Sequence, residues 1–253
     1  MYYVSICSII KDEDKYLDEW ISYHIECGID HIYLYDNGST NPQQNCISER
    51  NLNYCTVIPF PLDNGTQQYK CYAEFLRDYG KNSKWVAFID ADEFIRVVDD
   101  TPIPEFLREY ESHDGLYVGW LVYNANGQLT NDGRPVRERF TNTVTYKKNL
   151  PCGKSIIRPE MVNRMGPHFP APVWYGQYDI VDENHTYICA APGCEPSLNR
   201  IVIDHYFTKS WEEWQHKINK GVLDIGCIRK MEEFFYYNPD LADFVKRPII
   251  EIT

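Results

Sequence analysis

Asp90-Ala91-Asp92-Glu93 puts three carboxylates within four positions, directly after a mostly apolar run at 85–89. Such a run reads as a strand buried on both faces, as in a parallel sheet. Acids at its end then lie on the carboxyl edge of the sheet, where open α/β folds bind ligands. On an extended backbone Asp90 and Asp92, two positions apart, point the same way. Two carboxylates facing one spot repel each other unless a cation sits between them. A hard divalent ion with oxygen ligands suits that place. Glu93, facing the other way, reads as structural.

The elements that must position these acids follow from periodicity. Residues 2–10 read as a buried strand. A helix at 16–25 carries an apolar stripe at Tyr16, Leu17, Trp20, Ile21, His24 and Ile25, with Asp12 or Asp14 as its cap and Gly28 at its end. A strand at 32–35 runs into the turn-forming residues 36–40. One short helix is expected at 42–50, a strand at 54–58, a loop at 59–65 and a helix at 67–79 closed by Gly80. Strand and helix thus alternate four times before Glu93. The fold class is α/β, a Rossmann-like, mostly parallel central sheet flanked by helices in a single domain. Three polar loops, 11–13, 36–39 and 90–93, fall on one edge of that sheet.

The second half is less regular. It predicts a helix at 102–110, strands at 116–123, 143–147, 154–157 and 201–206, and a glycine- and asparagine-rich loop at 124–134. Residues 166–177 read as irregular. Ser210 caps a helix at 211–220 that Gly221 stops, and a last amphipathic helix spans about 228–237.

Composition excludes several classes. A net charge of -12 over 253 residues argues against nucleic-acid binding through a basic face. No apolar run approaches the roughly 20 residues needed to cross a bilayer. Residues 1–5 lack the charged region of a signal peptide and read as the start of the first strand. Nine cysteines without a CxxC pair suggest reduced thiols in a cytoplasmic protein, not a zinc site. Peripheral membrane contact through the aromatic, charged C-terminal helices is compatible with this.

The blocks Ile9-Ile10-Lys11-Asp12-Glu13, Gly28-Ile29-Asp30-His31, Asp36-Asn37-Gly38-Ser39, Phe88-Ile89-Asp90-Ala91-Asp92-Glu93-Phe94, Lys154-Ser155-Ile156-Ile157-Arg158-Pro159, His168 and 204–211 occur in an order that resembles the GT-A glycosyltransferases. The resemblance is closest to the family 92-type and related family 2-like enzymes, and it reaches to about Gly221. Two blocks depart from the pattern. Lys11-Asp12-Glu13 stands where Lys-Asn-Glu is usual, and Asp204-His205-Tyr206 where Asn-His-Tyr is usual. The resemblance implies a nucleotide-binding half at 1–100, an acceptor and metal half at 101–221 and a C-terminal helical extension at 222–253.

It also implies roles. Asp92 would be the main ligand of Mn²⁺ or Mg²⁺, Asp90 would contact ribose or the metal, and His205 would add a late ligand. Asp36 would meet the base, with Lys11 and Glu13 lining the same pocket; the other reading of Asp36 is an Asx-turn acid. Lys209 and Lys217 are candidates for the diphosphate or are solvated residues of a helix flank. Glu138 best matches the base of an inverting transfer, with Asp132, Asp179 and Asp182 as rivals; its alternative is a salt bridge to Arg134 or Arg139. Trp120 and His168 would line an acceptor pocket, or Trp120 would be core. The implied activity is hexosyl transfer from a nucleotide sugar, UDP favoured, to a glycan or lipid-linked saccharide in surface polysaccharide or lipopolysaccharide synthesis. Two other classes stay open. One is a DxD phosphohydrolase with Asp90 as nucleophile, against which Phe94 stands two residues past Asp92. The other is a non-catalytic carbohydrate-binding protein.

Overall fold

The first half of the sheet is built around β1 (Tyr2–Ile10). In the computed structural model, which describes residues 1–61, 65–144, 152–170, 177–189, 195–220 and 229–242, β1 pairs in parallel with β2 (His31–Asp36) and with β4 (Ser83–Phe88). β3 (Cys55–Pro59) continues the parallel array beyond β2. The strand alternation sorts β1 between two cores. Val4 and Ile6 join the cluster under α1 (Leu17–Glu26), to which Leu17, Trp20 and Ile21 contribute. Cys7 and Ile9 join the other, under α3 (Gln67–Asp78), with Cys71, Tyr72 and Phe75. Both faces are covered, so β1 needs no polar side, and it is buried from Val4 to Ile10.

The second half is mixed. β8 (Gly153–Ile157) lies antiparallel between β4 and β6 (Gly115–Tyr123). β10 (Ile201–His205) runs parallel to β6, and β5 (Glu93–Val97) closes the edge antiparallel to β10. β7 (Thr143–Val144) and β9 (Ile180–Val181) pair with β6. Gly153 permits this packing: a Cβ there would stand 2.1 Å from the Val118 carbonyl oxygen. Beyond β10, α6 (Trp211–Asn219) and α7 (Met231–Tyr237) pack against each other through Trp211, Trp214 and Phe234.

The mostly parallel α/β fold matches expectation, and several local expectations are corrected. β5 was not anticipated: it starts directly at Glu93, and only its partner β10 identifies it as a strand. β9 and the one-turn helix α5 (Val136–Arg139) are likewise too short to leave a periodic signal. The region 42–50 is two pieces, a 3-10 turn at Gln43–Cys46 and α2 (Glu49–Leu52), because Ile47 and Ser48 are extended. The region 102–110 divides into α4 (Ile103–Phe106) and a 3-10 turn, Leu107–Tyr110. Neither Asp12 nor Asp14 caps α1, whose N-cap is Tyr16. Both instead hold the 39–43 loop: Asp12 accepts from the Thr40 amide (2.6 Å), and Asp14 from Asn41 and Gln43. Gly28 does end α1, with φ +95°. The rest of the 143–147 strand, residues 171–176 of the irregular stretch and Gly221 lie outside the described residues. Cys7, Cys27, Cys46, Cys55 and Cys71 are free thiols, but Cys189 is disulfide-bonded, against the expectation of reduced thiols throughout. Among the described residues no helix is long and apolar enough to cross a membrane.

Candidate functional site

β4 ends at Phe88, and the chain turns at once, with the Glu93 amide donating to the Asp90 carbonyl (3.0 Å). The acids therefore sit on a turn and not on an extended strand end, and they have different counter-ions. Asp90 accepts from Lys154 Nζ (2.8 Å) and Gln68 Nε2 (3.0 Å). Asp92 accepts from Lys217 Nζ (2.5 Å), and its other oxygen lies 3.6 Å from His205 Nε2. Glu93 is not turned away as its spacing suggests. Its Oε2 accepts from the Asp90 amide (2.9 Å), and its Oε1 lies 3.9 Å from Lys154 Nζ.

Each partner is delivered by an element formed far away in the chain. β8 pairs Ile156 with Ala87 and Ile157 with Val86, a register that brings Lys154 to the end of β4. In the β5–β10 ladder His205 stands opposite Glu93, and the Tyr206 amide donates to the Asp92 carbonyl (2.9 Å). Lys217 comes from α6, which begins with the expected cap. Ser210 and Glu213 form a reciprocal capping box, and Glu213 also binds the buried Arg139.

Burial works to raise the Asp92 pKa, but Lys217, His205 and Lys209 outweigh it and hold the carboxyl well below its usual range. Burial drives His205 down to about 3, so its ring is neutral at pH 7, the form that ligates metals. Burial also pulls Lys217 down to about 7, against the attraction of Asp92 and with help from Arg229 and Lys209. Lys154 responds the other way. Burial lowers it, but Asp90 and Glu93 raise it beyond the ordinary value. Burial keeps Glu93 well above its usual range, with Asp90 and Asp92 adding to that shift.

Asp92 opens onto a cavity of about 490 Å³. Asp12, Glu13 and Thr40 form one wall, and Lys209, Lys217 and Lys220 form the wall on the α6 side. Lys209 is held at φ +52°, with its ammonium 4.4 Å from the Tyr16 ring centroid, and Lys220 pairs with Glu13. The Tyr16 hydroxyl bonds Glu213, which ties this wall to Arg139.

The expected site residues divide into two groups. Asp92, Glu13, Lys209 and Lys217 line this cavity, and His205 meets Asp92. Asp36 does not line it. Its carboxylate accepts from the Ser39 amide (2.9 Å) and the Gln43 amide (3.4 Å), three and seven residues on, and so braces the 36–43 loop. Lys11 is half-buried and does not line it either. Glu138 is exposed on α5, and the arginines expected beside it take other acids: Arg134 pairs with Asp132 (2.6 Å) and Arg139 with Glu213 (2.7 Å). Asp132 is exposed and off the cavity. Asp182 braces a turn through the Asn184 and Thr186 amides, and Asp179 binds His113. Trp120 is half-buried, its ring 4.4 Å from His205 and 5.2 Å from His168. Lys154 and Lys220 carry roles that sequence reading missed. A lysine at the head of the apolar strand 154–157 was the available signal, since lysine is almost never fully buried without a partner.

A divalent ion fits part of the expected ligand set. Asp92 and the neutral His205 face one another, and His205 Nδ1 has no hydrogen-bond partner among the described residues. Asp90 is already bound by Lys154 and Gln68. No three metal-ligating side chains converge among the described residues, so Asp92 and His205 would need ligands from a bound diphosphate or water.

Residues 1–226 match the sequence profile of glycosyltransferase family 92. A glycosyltransferase family 92 protein of Oryza sativa subsp. japonica is 21% identical over 220 residues, covering 86% of this chain and 35% of that protein. One from Ricinus communis is 28% identical over 243 residues, covering 87% and 38%. The chain spans about a third of the length of these relatives. Among solved structures, S. aureus TarS 1–349 in complex with UDP aligns with a TM-score of 0.48 and 14% identity, over 98% of this chain and 76% of that one.

Proposed function

This chain belongs to glycosyltransferase family 92, and from that premise we propose that it transfers a sugar from a nucleotide-sugar donor, a UDP-sugar, to a saccharide acceptor. The observation that carries the reading is the meeting of Asp92 and neutral His205 with the Lys209, Lys217 and Lys220 wall. Asp92 and His205 hold Mn²⁺ or Mg²⁺, and Lys209 and Lys217 hold the diphosphate as point charges. A divalent ion there would neutralise the charge that builds on the leaving diphosphate. Lys217 already donates to Asp92, so phosphate oxygens compete with this carboxylate for its protons. Glu13, paired with Lys220, keeps the β1 loop against α6. Asp90 is the residue for ribose, since its carboxylate is 38% exposed while Lys154 anchors it.

The transfer is inverting, which requires a carboxylate to take the acceptor proton. Glu138 is assigned that role, with Asp132 as the alternative. Both lie off the donor cavity, so the acceptor must approach from the α5 side. The glycan or lipid-linked acceptor of a surface polysaccharide, and a cytoplasmic site of action with peripheral membrane contact, rest on the family resemblance.

Calorimetric titration with UDP tests the donor assignment. Heat is expected in Mn²⁺ and a much smaller signal in EDTA; equal binding in both would sink the metal role. A nucleotide-sugar screen for Mn²⁺-dependent turnover then identifies the donor. Glu138→Gln should bind UDP as the parent does and lose transfer. If transfer survives, another carboxylate is the base.

A further inference from the structure

The edge of the sheet opposite the Asp92 site carries a second set of metal-competent side chains. The turn before β6 presents His113, and the turn after β9 presents His185. His113 Nε2 and His185 Nδ1 face each other at 3.0 Å. His113 Nδ1 lies 2.7 Å from Asp179 Oδ2. An ionised carboxylate only accepts, so Nδ1 carries the proton and Nε2 presents its lone pair toward His185. This carboxylate–imidazole arrangement is the one that orients metal-bound histidines in general.

The two turns are braced independently of the pair. The Asp114 amide donates to the Asp179 carbonyl (3.0 Å) and the Asp179 amide to Asp114 Oδ2 (2.9 Å), which fixes His113 beside Asp179. Asp182 Oδ1 accepts from the Asn184 and Thr186 amides on either side of His185. His185 itself is held at φ +59°, a left-handed conformation uncommon outside glycine, with its ring stacked on Tyr110 at 4.8 Å. The strained residue thus presents its imidazole to His113 from a rigid support.

We propose that His113 and His185 form a transition-metal site, with Asp179 as the residue that positions His113. Two imidazoles favour Zn²⁺ or Cu²⁺ over the oxygen-seeking Mg²⁺ and Mn²⁺ expected at Asp92. Tetrahedral zinc with ligands at about 2.0–2.1 Å needs its nitrogens about 3.3 Å apart, so the pair must open by a few tenths of an ångström and each ring must turn by about 35° for the two lone pairs to meet at the metal. His185 shifts its proton from Nδ1 to Nε2 to free the second lone pair, so no net proton is released there. With no third protein ligand converging among the described residues, water completes the shell. The metal clamps the 110–115 turn to the 182–187 turn.

The test uses tag-free full chain carrying Asp92→Asn, which removes the family metal site from the readout. Zn²⁺ titration by calorimetry should show one site. His185→Asn, chosen because asparagine tolerates the left-handed conformation, should abolish it. Asp179→Asn should weaken it about 10–100-fold. Cu²⁺ bound to the Asp92→Asn protein should show coupling to two nitrogens in its electron paramagnetic resonance spectrum. No Zn²⁺ binding in the Asp92→Asn protein, equal binding after His185→Asn, or a copper spectrum with a single nitrogen would each overturn the proposal.

Discussion

Asp90 and Asp92 stand two residues apart, and each faces a lysine, yet the two lysines respond in opposite directions. Lys154 is buried, but two carboxylates and the Pro167 carbonyl surround its ammonium, and its pKa rises. Lys217 is less buried, with one carboxylate and two further cations nearby, and burial together with those cations brings it to about 7. Local charge balance therefore distinguishes the pairs more than depth does. Around Lys154 acceptor oxygens are in excess and the ammonium is locked. Around Lys217 positive groups are in excess, and the cavity is short of an anion. A diphosphate would supply that missing charge, which is why the Asp92 side is proposed as the ligand side.

The contrast can be broken most directly at Asp92. Asp92→Asn should remove detectable Mn²⁺-dependent UDP binding while the melting temperature stays close to that of the parent, because Lys217 can lose its proton once its partner is neutral. A collapse in stability together with binding would place Asp92 in the structural class with Lys154. The balanced pair Arg139–Glu213 sets a reference. Glu213 is held at about 2 against burial by Arg139, Ser210 and Tyr16. Its unfolded-state value is higher, so the pair adds stability above about pH 4.5 that is lost as pH falls toward 2, on the order of 3 kcal/mol. His24 and His205, both buried and lowered to about 3, contribute a loss that begins earlier, below about 6.5. Urea melts from pH 7 to 3 should show both, and Glu213→Gln should reduce the lower part only, with Asp92 keeping its share of it.

Lys217→Met should weaken UDP binding about 10–100-fold, the value of a charge-assisted hydrogen bond, with little change in melting temperature. Lys154→Met should reverse that pattern, costing about 2 kcal/mol and lowering the melting temperature by about 5 °C. UDP affinity should then stay within a few-fold of the parent. If both lysine variants lose UDP equally, the division between a locked and a ligand-facing lysine fails.

Much of this was legible along the chain. The alternation through β4 rests on local periodicity, so β1 to β4, α1 and α3 could be read without a fold. The capping box that starts α6 is equally local. β5 escaped because it begins within the acidic motif and has no sequence-adjacent partner. The spacing of Asp36-Asn37-Gly38 fits both a base-binding acid and an Asx turn, and only the fold shows its carboxylate bound to the Ser39 and Gln43 amides. Glu138 matched a family position, but the fold leaves it exposed and off the cavity.

Residue order alone placed acids at the end of a buried strand and a helix with lysines late in the chain, because both depend on patterns a few residues long. It had no means of assigning Lys154 to Asp90 across 64 residues, or Lys217 to Asp92 across 125. Those pairings depend on the antiparallel entry of β8 and on the β5–β10 ladder that brings α6 to the cavity. The charge excess that separates the two acids is a sum over groups from distant segments, and it exists only once the chain has packed.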